Sequence, residues 1–189
     1  MAEGRLFYVI GPSGSGKDSL MRYGRERLAG DHGVVFAHRY ITRPVELQGE
    51  NHVALTHGEF DARLAAGLFA MHWDSHGHRY GIGCEINFWL AKGCRVVVNG
   101  SRAYLEQARC RYSELEAVWV EASPEVLEVR LKARGRESDE QIAARVARAA
   151  QFRPGGNNVR VIRNDGPLEE AGEQLAALIG GKLRATSCA

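Results

Sequence analysis

The sequence lacks any long apolar run: no stretch approaches the roughly 20 residues that a membrane-spanning helix needs. The opening Met1-Ala2-Glu3-Gly4-Arg5 leads into no secretory apolar segment, so the expectation is a soluble, cytoplasmic protein with no membrane partner. Cysteine is sparse as well. Cys84, Cys94, Cys110 and Cys188 show neither the paired spacing of a zinc site nor the density of a disulfide scaffold, and reduced thiols are expected. Nor is there an excess of one charge. With 25 basic and 23 acidic residues the net charge is +2, too small to argue for a nucleic-acid partner. Repeats and low-complexity segments are absent. What remains is 189 residues, 44% apolar and 25% charged, enough for one globular domain with a sizeable core.

The chain is organised around Gly11-Pro12-Ser13-Gly14-Ser15-Gly16-Lys17-Asp18-Ser19, between the apolar run Leu6–Ile10 and a helix-like segment from Ser19 to Leu28. This spacing makes a phosphate-binding loop. Glycines let successive N–H groups turn inward, Lys17 brings a point charge to the outer phosphates, and the following helix presents its positive end. A nucleoside triphosphate with Mg²⁺ is the ligand such a loop takes. Where most loops of this kind place Ser or Thr after the lysine to hold the ion, this one has Asp18, with a hydroxyl only at Ser19. Oxygen ligands of either kind suit Mg²⁺, directly or through water, while Asp18 equally suits a first-turn acid that offsets the helix dipole.

From the loop onward the pattern predicts alternating strands and helices, hence a parallel sheet covered by helices on both faces. Strands are expected at Val34–Ala37, Arg95–Val98, Ala117–Glu121 and Val159–Ile162. The first helix is expected to stop at Ala29-Gly30 on the glycine, and further helices to cover about 103–112, 124–133, 138–151 and 167–183. Ser123-Pro124 supplies an N-cap with proline at the first helical position. Thr56-His57-Gly58-Glu59 and Ser138-Asp139-Glu140-Gln141 are capping boxes. Residues 38–83 break the rhythm and are read as an inserted lobe, with a hairpin turning at Gly77. The division expected is one domain over 1–189, with a core of 1–37, 84–132 and 154–189, a lobe of 38–83 and a lid of 133–153.

Between Lys132 and Arg153 six basic residues face three acidic ones. Arginines on a closing segment supply positive charge where a transferring phosphoryl group crowds its oxygens. A solvated, salt-bridged helix face is the competing reading for any one of them. In the lobe, Arg39, Arg43, His52, Arg79 and Tyr80 are candidate anion ligands. His72, His76 and His78 are read as hairpin surface or substrate hydrogen-bonders rather than metal ligands, because Mg²⁺ prefers oxygen and no cysteine joins them.

These features together resemble the guanylate-kinase-like family of P-loop kinases from about Leu6 to Leu178. The loop, Ile41-Thr42-Arg43-Pro44, Gly49-Glu50, Gly77 with Tyr80-Gly81, Arg134-Gly135 with Arg145, and Asn164-Asp165 fall in family order. The resemblance implies an α/β P-loop kinase fold with an acceptor-binding lobe and an arginine-bearing lid, ATP and Mg²⁺ as cofactors, and an enzyme that transfers the γ-phosphoryl group. It implies that Lys17, Arg134 and Arg145 act on that group and that Gly11 to Ser19 hold the nucleotide. It implies that Asn164 and Asp165 lie beside the adenine, with Asp18 and Ser19 as the candidate metal ligands. Arg39, Arg43, His52, Tyr80, Ser101 and Arg102 line the acceptor pocket. Departures from guanine-specific members bear on the acceptor. Arg39 stands where those have a guanine-recognising serine, Met71 where they have a glutamate, Glu46 in place of a phosphate-binding arginine, and His52 in place of a tyrosine. Methionine cannot accept a hydrogen bond from a purine N–H as a carboxylate does, whereas Arg39 adds charge. The expected partner is therefore a small phosphorylated sugar with a second phosphate and no base. A nucleoside monophosphate kinase and a non-catalytic binding module are the alternatives.

Overall fold

The first strand, β1 (Arg5–Ile10), takes its conformation from an uninterrupted apolar run, and Phe7, Tyr8, Val9 and Ile10 are fully buried. Such a run suits a strand covered on both faces. It leads through the glycine loop into α1 (Lys17–Arg27), and β2 (Val34–Phe36), β3 (Arg39–Ile41), β4 (His52–Ala54) and α2 (His57–Ala65) follow. Next come β5 (Phe69–Ser75), β6 (His78–Gly83), α3 (Glu85–Ala91), β7 (Arg95–Asn99), α4 (Leu105–Arg111) and β8 (Glu116–Glu121). The chain continues through α5 (Pro124–Arg134), α6 (Asp139–Gln151), β9 (Val159–Arg163) and α7 (Leu168–Ile179). The structure, a computed structural model, describes residues 4–44, 52–135, 138–152, 154–156 and 158–181, without the side chains of Arg134 and Gln151.

A five-stranded sheet runs in the order β2-β7-β1-β8-β9, with β2 parallel to β7 and β8 parallel to β9. This is the α/β architecture expected from the alternation of elements. A second sheet of four strands has the order β4-β3-β6-β5, in which β3 is parallel to β4 and antiparallel to β6. Its strands all fall between residues 39 and 83, the segment read as an insertion. By its own contacts the chain divides into two compact units, Met1–Tyr8 with Asp31–Glu116, and Val9–Gly30 with Ala117–Ala189.

Within the first unit, β5 and β6 form the expected hairpin, and His76 and Gly77 at its tip both have positive φ, 51° and 76°. Two such residues make the turn whose twist matches the flanking strands. Thr56 caps α2 with the reciprocal Thr56–Glu59 bonds of a capping box. Phe60 of that helix is buried beside Leu55 and Phe69, with Tyr40 and Leu64 packed against them. Its ring lies 4.6 Å from that of Phe69, and the Arg79 guanidinium sits 4.4 Å from the Phe60 ring centre.

In the second unit α1 is bound to α7 through one carboxylate, Glu173, which accepts from Tyr23 Oη at 2.8 Å and Arg27 Nε at 2.7 Å. Helix α1 begins at Lys17, earlier than expected, and stops at Arg27 rather than at the glycine. Leu28 closes it with φ −103° and ψ 12°, its N–H bonding to Gly24, so no left-handed residue is needed and Gly30 plays no capping part. Both later caps form as read: Ser123 accepts from Val126 N, and Ser138 with Gln141 completes a capping box. The expected end of the last helix, near residue 183, lies outside the described residues; α7 closes on Gly180.

Because the Phe60 ring is almost fully buried against Leu55 and Phe69, Phe60→Ala should lower stability by about 3–5 kcal/mol in denaturant unfolding. A loss below about 1 kcal/mol would contradict the packing described.

Candidate functional site

The phosphate loop belongs to the second unit. It leaves β1 at Gly11 and turns back on itself through Ser15 N to Pro12 O, 3.2 Å. Gly16, with φ 81°, then opens α1. A β-carbon at Gly16 would sit 2.4 Å from Asn164 Nδ2, so both the backbone angle and the lack of space demand glycine there. The close neighbour also supports the loop. Asn164, at the end of β9 and only 2% exposed, donates from Nδ2 to the Ser15 carbonyl at 2.7 Å. Arg130 of α5 donates to the same carbonyl from Nη1 at 3.4 Å. Two donors on one carbonyl hold the loop's backbone from below.

Around that frame the charged groups gather. Lys17 Nζ lies 3.2 Å from Asp18 Oδ1, its side chain 13% exposed against 56% for Asp18. Arg145 of α6 donates from Nη1 to Ser13 Oγ at 3.1 Å, which joins the arginine-rich segment to the loop across 132 residues of sequence. Lys132 behaves differently. It pairs with Glu128 at 2.7 Å, a bond that raises its pKa, and lies 3.9 Å from Asp139. This is the salt-bridged helix face that the sequence offered as the other reading. Asp165 Oδ1 accepts from Ser123 N at 2.6 Å, beside a cavity of about 350 Å³ lined by Pro12, Trp119, Leu127 and Phe152. The cavity's polar edge is Glu121, Arg163 and Asp165.

Two atoms of this unit bear on whether a nucleotide fits. Ser15 Oγ and Asn164 Oδ1 are buried and have no hydrogen-bond partner among the described residues. Buried polar groups are rarely left so, and a ligand with both donors and acceptors would complete them.

The first unit gathers the remaining candidates. Arg39 on β3 lies directly opposite His52 on β4, and its guanidinium sits 5.2 Å from the Tyr80 ring centre. Trp73 stacks on the other strand of the hairpin against Tyr80, ring centres 5.7 Å apart and 1° from parallel, and also meets Tyr104 at 5.6 Å. The backbone before Arg43 is held at several points. His78 Nδ1 lies 3.1 Å from Thr42 O, Arg79 N donates to Thr42 Oγ1 at 2.9 Å, and His52 Nε2 donates to Arg43 O at 3.0 Å. His52 is only 6% exposed, so the histidine read as an acceptor ligand stands under the arginine's main chain. Met71 is fully buried on β5. Ser101 and Arg102 follow the end of β7, and the Ser101 backbone is bonded to the buried hydroxyl of Tyr8.

The structure thus brings Gly11 to Ser19, Asn164, Asp165 and Arg145 together in one unit. Arg39, Arg43, His52, Tyr80, Ser101 and Arg102 lie in the other. The Arg134 side chain, Glu46, Gly49-Glu50, Arg136 and Arg153 lie outside the described residues. Sequence reasoning passed over Arg130, although its i,i+4 spacing from Arg134 on one helix was a usable signal. It noted Trp73 without a role, and it missed Tyr104 and Tyr8.

A glycine loop with lysine that leaves the central strand of a five-stranded α/β sheet and runs into a helix is the arrangement of the P-loop proteins, the class to which P-loop kinases belong. The fold is similar to that of guanylate kinase from Anaplasma phagocytophilum, with a TM-score of 0.69 and 15% identity, covering 98% of this chain and 89% of that one. No family model matches the chain. Sequence relatives are far closer than the structural one. A protein of Thiobacillus denitrificans is 72% identical over 179 residues, 95% of this chain and 94% of its own length. One of Chromobacterium violaceum is 54% identical over 181 residues, 96% of each chain. Both are named ribose 1,5-bisphosphate phosphokinase, and this chain belongs to that family.

The Asn164 amide is the most buried polar support of the loop. Asn164→Leu should cost about 1–3 kcal/mol by leaving the Ser15 carbonyl only the longer bond from Arg130. Asn164→Asp, which sets oxygen against oxygen at the same place, should cost at least as much. Unchanged unfolding midpoints in both variants would contradict the support.

Proposed function

We propose that this chain phosphorylates ribose 1,5-bisphosphate, with ATP as donor, to give 5-phospho-α-D-ribose 1-diphosphate and ADP, in the cytoplasm. An oxygen of the acceptor's phosphate forms the new bond to the γ-phosphorus as the bond from that phosphorus to the β–γ bridging oxygen breaks. The electron pair stays on the ADP β-phosphate. A phosphate oxygen is already ionised at neutral pH, so no general base is required. The chain's contribution is positioning and charge.

Lys17 and the loop N–H groups hold the β- and γ-phosphates. Arg145, with Arg134, neutralises charge on the group in flight. Asn164 and Asp165 stand beside the adenine. Bound Mg²⁺ supplies charge neutralisation between the phosphates, and the oxygens of Asp18 and Ser19 are the donor set that suits it. The Asp18 carboxylate lies 3.2 Å from Lys17 Nζ and is half exposed, which leaves it accessible to a cation.

On the acceptor side Arg43 and Tyr80 take one phosphate and Arg39 the second, with Ser101 and Arg102 lining the same pocket. His52 acts through the Arg43 main chain. Met71 offers no acceptor for a purine N–H, so a guanine there would keep buried donors unpaired.

The observation that carries the reading is the bond from Arg145 to Ser13, an arginine of the expected lid on the phosphate loop itself. The test is incubation with ATP, Mg²⁺ and ribose 1,5-bisphosphate, followed by phosphorus NMR. A new diphosphate should appear with ADP, and its absence would overturn the assignment. Lys17→Ala should lower turnover by roughly 10²–10³-fold while circular dichroism stays unchanged. Near-normal turnover in that variant would remove Lys17 from the mechanism.

A further inference from the structure

We propose that Tyr8 is a positioning residue for the acceptor: its hydroxyl sets the backbone of Ser101, and with it the directions in which Ser101 and Arg102 leave the chain. The inference rests on the reading above, in which those two residues face the acceptor.

Tyr8 is the only polar side chain among the five buried residues of β1, where its neighbours are Leu6, Phe7, Val9 and Ile10. Phenylalanine would fill the same core, so the hydroxyl is what needs explaining. A buried phenol requires a partner. This one takes both main-chain groups of a single residue, accepting from Ser101 N at 2.9 Å and donating to Ser101 O at 3.2 Å. Tyr104 N donates to the same carbonyl at 3.2 Å. The ring also dictates the preceding residue. A β-carbon at Gly100 would lie 2.2 Å from Tyr8 Cζ, so glycine is needed where the ring passes under the chain.

Burial pushes the Tyr8 phenol well above its ordinary pKa, with the Ser101 backbone bond, Tyr104 and Arg39 as the smaller influences, so the group stays protonated and able to donate. One hydroxyl therefore fixes the peptide groups on both sides of Ser101. Removing it frees that residue to rotate, and the misdirected Ser101 and Arg102 weaken acceptor binding without touching the nucleotide loop.

In Tyr8→Phe the KM for ribose 1,5-bisphosphate should rise about tenfold while the KM for ATP stays within about twofold. An unmoved acceptor KM overturns the proposal, and so does a lowered Tm with both KM values unchanged, the mark of a merely structural bond. Arg102→Ala serves as the reference. If it too leaves the acceptor KM unmoved, the placing of Ser101 and Arg102 at the acceptor has failed. If it raises the acceptor KM and Tyr8→Phe does not, the Tyr8 inference alone has failed. A second measurement needs no variant. With ring-labelled tyrosine in the unsubstituted protein, the Tyr8 resonance should shift on addition of ribose 1,5-bisphosphate and stay in place with ATP alone. A Tyr8 signal indifferent to the sugar overturns the proposal even if Tyr8→Phe does not fold.

Discussion

The Ser15 carbonyl is the point on which the phosphate loop depends. A loop that turns its N–H groups toward a ligand leaves its carbonyls facing the protein, where each must find a donor. Here Asn164, just past β9, and Arg130 of α5 both donate to that one oxygen. Gly16 admits the Asn164 amide because it has no side chain. The loop's shape is thus imposed by elements more than a hundred residues away in sequence, and Arg145 reaches Ser13 from a third element, α6.

The first unit applies the same logic to a different group. There the main chain around Arg43 is fixed by His52, His78 and Arg79, and the main chain of Ser101 by Tyr8 and Tyr104. Charged side chains are flexible, and an arginine binds an anion well only when the backbone that launches it does not wander. Arg39 is steadied otherwise, its guanidinium over the Tyr80 ring, which Trp73 in turn stacks upon. The proposed preference for a sugar carrying two phosphates over a nucleotide rests on these cations and on the missing carboxylate at Met71.

Local chemistry was legible in the sequence. The glycine loop between strand and helix, both capping boxes, the Ser123-Pro124 helix start and the hairpin at Gly77 each depend on residues within a few positions of one another, and the caps and the hairpin formed where read. What was hidden depends on partners far apart in the chain. A histidine's type says nothing about which atom it faces, so the contact of His52 Nε2 with the Arg43 carbonyl was not legible. Asn164 was placed by resemblance near a base, while its support of Ser15 required the 149-residue separation to be closed. Tyr8 read as one more apolar residue in a strand, and only the fold puts Ser101 above its hydroxyl. The end of α1 was misjudged for a simpler reason: a helix can stop on a right-handed residue, and a nearby glycine is then incidental.

The central claim is that anion recognition without a base decides the substrate. The ratio of kcat/KM for ribose 1,5-bisphosphate to that for GMP, with ATP as donor to both, measures it most directly. The account predicts a ratio of at least about 10³. A ratio near one, or in favour of GMP, would contradict it.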